Sequence, residues 1–545
     1  MKKTYSILFL ILLLAAFLRF YQLGNNPPAL DWDEASMGYN AYSLLKTGKD
    51  EFGRVWPISI RSFEDYKPAV YTYLIIPSIA LFGLNEFATR LPSAVFGTLT
   101  VLITYFLVKE LIDKERYLEL SVKSEKITLL VTFFLAISPW HLQFSRVAFE
   151  SNTSLFFVFS GLLFFLKGLK KGAWLLLAAI LLSISFYTYH APRLVVPLII
   201  LGWTIYYRGA VWKQKKFVIC AIFIGLFLLI PFFKESFGPG RARLSSVTVL
   251  SADGRLEDSI KRTEYDEAQG NKLAKILHNR RIIYALAVAK GYLDHFNLDF
   301  LFLTGDAPDR HHARDMGMLY IWEAPFIALA IIMLLKKRSF FPIIWWFLVA
   351  PSASAITTGT PHAVRALLYL PTYQIFSALG LLLFFYNWKL PRQSRRRAFA
   401  LVFVTIMIFI NIFYYFQMYY VHTPVEASAD WQYGYKQAIA ATAPFENTTD
   451  KIIMTYSYDQ PYIFVLFYRQ VDPAWYQQQW HGQLIERARR SFGKYEFRTI
   501  NWEQDKNLTN TILVGTPGEI PDSAPGKIAE IRFLDGSIAF RIVKR

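Results

Sequence analysis

The apolar run Ser6–Leu18 (SILFLILLLAAFL), followed by Arg19-Phe20-Tyr21 and then by Asp31-Trp32-Asp33-Glu34-Ala35, decides the fold. The run follows Lys2-Lys3 and reads as a first membrane crossing with its positive flank inside. No small-residue cleavage site follows Arg19-Phe20-Tyr21, so the segment is expected to stay as a signal anchor. Acids just past such a crossing stand where water, a lipid head group and an extracytoplasmic substrate meet.

Composition agrees. Hydrophobic residues make up 54% of the 545 positions, aromatics 17% and charged residues 18%, an oily balance for so long a chain. The net charge of +18 does not point to nucleic acid, because Lys and Arg fall in short clusters between apolar runs and read as topology signals. The lone Cys220 lies inside an apolar run, which excludes a disulfide framework and a thiolate metal site.

A crossing takes about 20 apolar residues, and eleven stretches qualify, near 5–23, 91–108, 127–143, 154–168, 173–189, 194–208, 217–233, 319–335, 340–357, 366–387 and 398–420. With the amino terminus in the cytoplasm, the loops Lys109–Lys126, Lys167–Lys171, Arg208–Lys216, Lys336–Arg338 and Lys389–Arg397 all fall inside, and each is basic. The opposite face receives 24–90, 234–318 and the tail. Ala69–Leu84 is apolar enough to cross, but a crossing there would put the 109–126 loop outside. It is therefore expected to be an interfacial helix in the first external loop, as is Ile282–Leu293 in the large one.

The expected fold is an all-α polytopic membrane protein with about eleven spans over 1–422 and a soluble extracytoplasmic α/β domain over 423–545. In the tail, short apolar runs (KIIMTYSY, FVLFYRQ, EFRTI, TILVGT, KIAEIRF, AFRIVK) alternate with Gly, Pro, Asn and Asp and read as strands. The chain is placed in the cytoplasmic or plasma membrane, multi-pass, with the lipid bilayer as a partner.

Three constellations on the external side carry ionisable residues. One is Asp31, Asp33 and Glu34, with Glu64-Asp65-Tyr66-Lys67-Pro68 downstream; Asp31 reads first as a helix cap. Another is Arg146 and Glu150 at the junction of the third and fourth spans, where charges are functional candidates by default. The last is basic: His190-Ala191-Pro192-Arg193 and His362-Ala363-Val364-Arg365 repeat one H-x-x-R spacing, with Arg310-His311-His312 between them. Arg at a membrane face suits the phosphate of a lipid carrier. A histidine metal site lacks any H-x-x-x-H pair.

DEASMGYNAYSLLKTGKDEFG (33–53), DYKPAVYTYL (65–74), LFGLNEFATRLPSAVFG (81–97) and SPWHLQFSRVAFESN (138–152) occur in that order over the first third of the chain. The series resembles the GT-C superfamily of polyprenyl-phosphate-sugar-dependent glycosyltransferases, in the branch of protein O-mannosyltransferases and lipid A aminoarabinose transferases. The resemblance implies that Asp33 is the catalytic aspartate and Glu34 its partner in holding the acceptor. Lys67 matches a residue that meets donor phosphate, and Glu150 stands where relatives carry an acid, often Asp. Arg365 looks like a late-span arginine on carrier phosphate.

The implied activity moves a sugar from a polyprenyl-phosphate carrier to a hydroxyl acceptor, with inversion. No cofactor and no catalytic metal is expected, with a divalent cation on Asp31, Asp33 and Glu150 as the alternative. A multi-pass transporter or flippase is the other reading. Transporters usually carry internal repeats and midplane charges, whereas the charges here gather at one face beside a soluble domain.

Overall fold

The computed structural model describes residues 2–63, 65–114, 124–236, 248–249, 254–335, 340–387, 395–479 and 491–545, with the backbone alone at 236, 386, 387, 396 and 397. Parts of three expected cytoplasmic loops, 115–123, 336–338 and 389–394, lie outside them, as does Glu64.

All eleven apolar stretches are helical. Among the described residues, six helices are long and apolar enough to cross a membrane: Lys2–Phe20 (α1), Glu86–Lys114 (α4), Glu150–Gly168 (α7), Lys215–Glu235, Leu367–Phe385 and Ala398–Glu426. The pair Ser124–Ile137 (α5) and Pro139–Arg146 (α6) is bent by 53° and makes a seventh candidate. The bend has a local cause, since Ser138 caps the second helix and Pro139 occupies its first turn. The other four stretches form the shorter helices Trp174–Phe186, Pro192–Tyr206, Glu323–Leu334 and Phe341–Ala355. At about 1.5 Å per residue these cover about 20 Å of a core about 30 Å thick. Seven candidates, not eleven, thus meet the length requirement.

Between α1 and α4 the chain forms a helix, Trp32–Thr47 (α2), a hairpin of Ser59–Ser62 (β1) and Asp65–Pro68 (β2), and a helix, Val70–Phe82 (α3). The helix expected in Ala69–Leu84 is α3. It buries Tyr71, Ile75 and Ile79 at i, i+4 and i+8 while Leu81 is 78% exposed, the one-sided pattern of an amphipathic element. The helix Arg280–Asp294 likewise leaves Leu286 and Leu293 exposed.

The tail carries a mixed five-stranded sheet of order β4-β3-β5-β7-β6: β3 is Lys451–Met454, β4 Tyr495–Phe497, β5 Thr511–Gly515, β6 Lys527–Arg532 and β7 Ile538–Lys544. Alternation sorts its side chains, Ile452 and Met454 packing on one face and Ile453 on the other. Five of the six expected strands form. FVLFYRQ does not: Pro461 starts a helix, Pro461–Tyr468, whose apolar residues are buried all round. A short run of continuous hydrophobes carries no period to separate strand from buried helix.

The tail is not detached from the helical part. Tyr39, Tyr71 and Ile75 of α2 and α3 share one apolar cluster with Phe464, Phe467, Ile452 and Phe540 of the tail. Tyr39 Oη donates to Val471 O at 3.1 Å, and Gln477 Nε2 donates to Ser43 Oγ, Thr47 Oγ1 and Asp50 O at 3.0 Å each.

Candidate active site at the first turn of helix α2

Asp31 caps α2, as its position suggested. Its Oδ1 accepts from Glu34 N at 2.8 Å, and its own N donates to Glu34 Oε2 at 3.3 Å, so the two form a capping box. Asp33 and Glu34 fill the first turn, where the helix dipole favours negative charge. Three carboxylates within four residues still repel one another, and each is met by a cation from a different element.

Glu34 is met by Arg90 of α4, with Nε on Oε1 at 2.9 Å and Nη2 on Oε2 at 2.8 Å. Both side chains have zero exposure. Oε1 also accepts from Ala148 N at 2.7 Å. The carboxylate thus accepts four hydrogen bonds from inside the protein, and these fix the start of α2 against α4 and the turn before α7.

Asp33 differs. Its side chain is 36% exposed and forms an ion pair with Lys67 Nζ, which stands on β2 opposite Ile60. The Lys67 ammonium also lies 6.0 Å from the centre of the Phe63 ring. Asp31 Oδ2 accepts from Arg310 Nη1 at 2.9 Å, and the guanidinium stacks 4.1 Å from the centre of the Trp32 ring. Burial pushes the Asp31 carboxyl up to about 7; Arg310 opposes the shift, and the neighbouring charges of Asp33 and Glu34 add to it.

The other expected site residues are distributed as follows. Arg146 is fully buried and donates to Tyr419 Oη at 2.9 Å, Leu18 O at 2.8 Å and Asn26 O at 3.0 Å, between the rings of Tyr419 and Tyr420. It ties α6 to the end of α1. Glu150 opens α7 and is 8% exposed. Arg193 Nη1 meets His190 Nδ1 at 2.6 Å, and its guanidinium stacks on Phe232. Arg365 Nη1 donates to Thr357 Oγ1 at 2.7 Å and Thr358 O at 2.9 Å. The His362 ring lies 5.1 Å from that of His311. The alternative ligand set of Asp31, Asp33 and Glu150 meets an obstacle: Asp31 and Asp33 already face Arg310 and Lys67.

The sequence did not single out Arg90, although an arginine just inside an apolar span is a standing signal of function. It also missed Gln432, whose Oε1 accepts from Trp32 N at 2.8 Å while its Nε2 donates to Tyr458 O at 2.5 Å and Asp459 O at 3.2 Å. Through this one amide the tail touches the residue beside Asp33.

Residues 66–233 match the sequence model of the dolichyl-phosphate-mannose-protein mannosyltransferase family, a span that includes Lys67, Arg90 and Glu150 but begins after the acids of α2. No curated protein matches the chain by sequence. Among solved structures, the chain is similar to ArnT from Cupriavidus metallidurans bound to undecaprenyl phosphate, with a TM-score of 0.53, 13% identity, and coverage of 98% of this chain and 97% of that one. It is also similar to the Archaeoglobus fulgidus oligosaccharyltransferase tethered to an acceptor peptide, with a TM-score of 0.50 and 14% identity over 85% of this chain; the chain spans 63% of that enzyme's length. The chain therefore shares the fold of ArnT, and over residues 66–233 it carries the sequence pattern of the dolichyl-phosphate-mannose-protein mannosyltransferases.

Proposed function

We propose that the chain is a multi-pass membrane glycosyltransferase that moves a sugar from a polyprenyl-phosphate carrier to a hydroxyl acceptor, with Asp33 as the base. The observation that carries this reading is the Asp33–Lys67 pair: a solvent-accessible carboxylate and an ammonium on facing elements, under the tail. ArnT, similar in fold over nearly its whole length, holds undecaprenyl phosphate in its solved structure. An apolar cavity of about 700 Å³, lined by Trp322, Phe326, Phe384, Phe403 and Met407, supports a place for a carrier's hydrocarbon.

In this reading a sugar linked through phosphate already has a good leaving group, so no general acid is needed. The acceptor oxygen attacks the anomeric carbon as Asp33 takes its proton. The bond from that carbon to the phosphate oxygen breaks, and its electron pair leaves with the phosphate. Lys67, released from Asp33 onto the phosphate, offsets the charge developing there, and Arg310, paired with Asp31 two residues before Asp33, adds a second cation on that side. Arg365, Arg193 and His190 supply basic groups for the carrier phosphate. One displacement inverts the anomeric centre. Glu34 acts through position, by holding the turn that aims Asp33. In this reading Lys67 and Arg310 carry the charge compensation, and no catalytic metal is called for. We place the amino terminus in the cytoplasm, and α2, the hairpin and the tail on the other face, because with the four shorter helices counted as crossings the basic loops all fall inside.

The test is turnover of radiolabelled polyprenyl-phosphate sugars by the purified protein. Asp33→Asn is expected to lower turnover by about 10²–10⁴-fold at unchanged folding. A donor panel left unconsumed by the wild type, or an Asp33→Asn variant as fast as wild type, overturns the reading.

A further inference from the structure

Beyond the α2 acids, a further cluster of ionisable side chains lies among the described residues, at Asp306, His311 and His362. Asp306 is buried, its carboxylate having no exposure. Oδ2 accepts from Ala363 N at 2.8 Å and lies 2.6 Å from His311 Nδ1, and Oδ1 has no hydrogen-bond partner. None of these contacts brings Lys or Arg to the carboxylate. A buried carboxylate in such surroundings calls for a cation.

Two imidazoles converge on the same point. Asp306, His311 and His362 each offer a ligand atom, and these atoms lie within 4.8 Å of one another. In a tetrahedral zinc site with bonds of about 2.0–2.2 Å, ligand atoms are about 3.4 Å apart, so side-chain rotations of about 1 Å would close the set around an ion. The surroundings already hold the ligands. Ala363 N fixes the carboxylate, His362 N donates to His295 Nε2 at 3.2 Å, and Phe144 and Phe149 wall His311 with ring centres 5.8 and 6.1 Å away. Such outer contacts orient metal ligands and keep water out.

We infer that Asp306, His311 and His362 form a binding site for a transition-metal dication of the zinc type, which clasps the 306–311 loop to the junction at 362. Two imidazoles and one carboxylate favour zinc over magnesium or calcium, which take oxygen ligands. Its role is to position. Arg310 is the residue before His311 and reaches Asp31, and Arg365 stands three residues past His362. The ion sets the backbone that carries both arginines and leaves the chemistry to other groups. This is a site apart from Asp31, Asp33 and Glu150.

Zinc alone is the probe, and neither donor nor acceptor is needed, so the outcome does not depend on the glycosyltransferase reading. Full-length protein stripped by a chelator and titrated with Zn²⁺ is expected to retain one equivalent after dialysis and to melt at a higher temperature than the stripped form. His311→Gln, His362→Gln and Asp306→Asn should each weaken Zn²⁺ binding by at least about 100-fold, while the stripped variants melt like the stripped wild type. X-ray absorption of the zinc-loaded wild type, which requires no variant, should show imidazole ligands. No retained zinc, a zinc spectrum without imidazole, or retention unchanged in the His311→Gln/His362→Gln double variant overturns the inference.

Discussion

Arg90 grips Glu34 through two parallel contacts, Nε to Oε1 at 2.9 Å and Nη2 to Oε2 at 2.8 Å, with both side chains out of solvent. Arg90 also donates to Pro27 O at 2.8 Å, so one guanidinium joins α4, the first turn of α2 and the chain leading into it. Removing one member of such a pair leaves a buried charge, which costs about 3–5 kcal/mol. Arg90→Met is therefore expected to destabilise the protein by about that much, and Glu34→Gln/Arg90→Met by less than the sum of the single changes. Unfolding in detergent micelles measures the cycle; additive single effects would mean that the pair is not coupled.

Lys67 should behave in the opposite way. Its side chain is 11% exposed and that of Asp33 36%, so solvent screens the pair and its net stabilisation is about 0–1 kcal/mol. A charged hydrogen bond to donor phosphate is worth about 1.5–3 kcal/mol, or about 10- to 150-fold in binding. Lys67→Met is expected to raise the donor KM by about that factor with little change in melting temperature, and Lys67→Arg to recover part of the loss. A large stability loss with an unchanged KM would make Lys67 a structural residue.

The Asp31 carboxyl predicts a pH dependence with a definite sign. Burial raises it from 3.8 in the unfolded chain to about 7 in the folded protein. Between those values the folded state holds a proton that the unfolded state lacks. Asp31 therefore contributes stability at low pH that is lost as pH rises from about 4 to about 7, with no further change from this group above that. Melting temperature measured across this range should fall less steeply in Asp31→Asn, which keeps a side-chain oxygen to cap α2 but cannot ionise. An identical slope in variant and wild type would remove Asp31 as the source.

The sequence made the address legible and left the partners hidden. Acids after the first apolar run, the basic loops and the period-2 runs of the tail are local patterns, and the α2 cap, the helices and five strands follow from them. The capping reading of Asp31 needed only the residues from 31 to 34. What gives Glu34 its character, by contrast, is Arg90, 56 residues away, and Arg310 reaches Asp31 across 279. Nothing local tells a saturated buried acid from an accessible one, so Asp33 and Glu34 read alike in sequence and separate only when packed. The surroundings of Arg146 were hidden for the same reason: its carbonyl partners at Leu18 and Asn26 leave no mark in residue type. The run at 461–468 failed differently, because without a period only its environment, between the sheet and α2, selects a helix.

That packing of the tail on α2 has a direct test at Gly38. A Cβ there would lie 2.6 Å from Phe467 Cε2 in the tail and 2.8 Å from Thr89 Oγ1 on α4. In an open helix Gly→Ala gains up to about 1 kcal/mol in propensity. Overpacking a closed contact costs about 1–3 kcal/mol, so the steric term should win and Gly38→Ala should destabilise. Gly225, in the helix Lys215–Ser236, is the internal control, because a Cβ there meets only Ser183 Oγ at 3.9 Å and Gly225→Ala should be neutral or stabilising. Since Gly38 lies five residues after Asp33 on one helix, the wedge should also lower turnover, by shifting α2 away from the hairpin that holds Lys67. Equal melting temperatures for Gly38→Ala and Gly225→Ala would mean that the tail gives way at no cost, and that its contact with α2 does not set the position of Asp33.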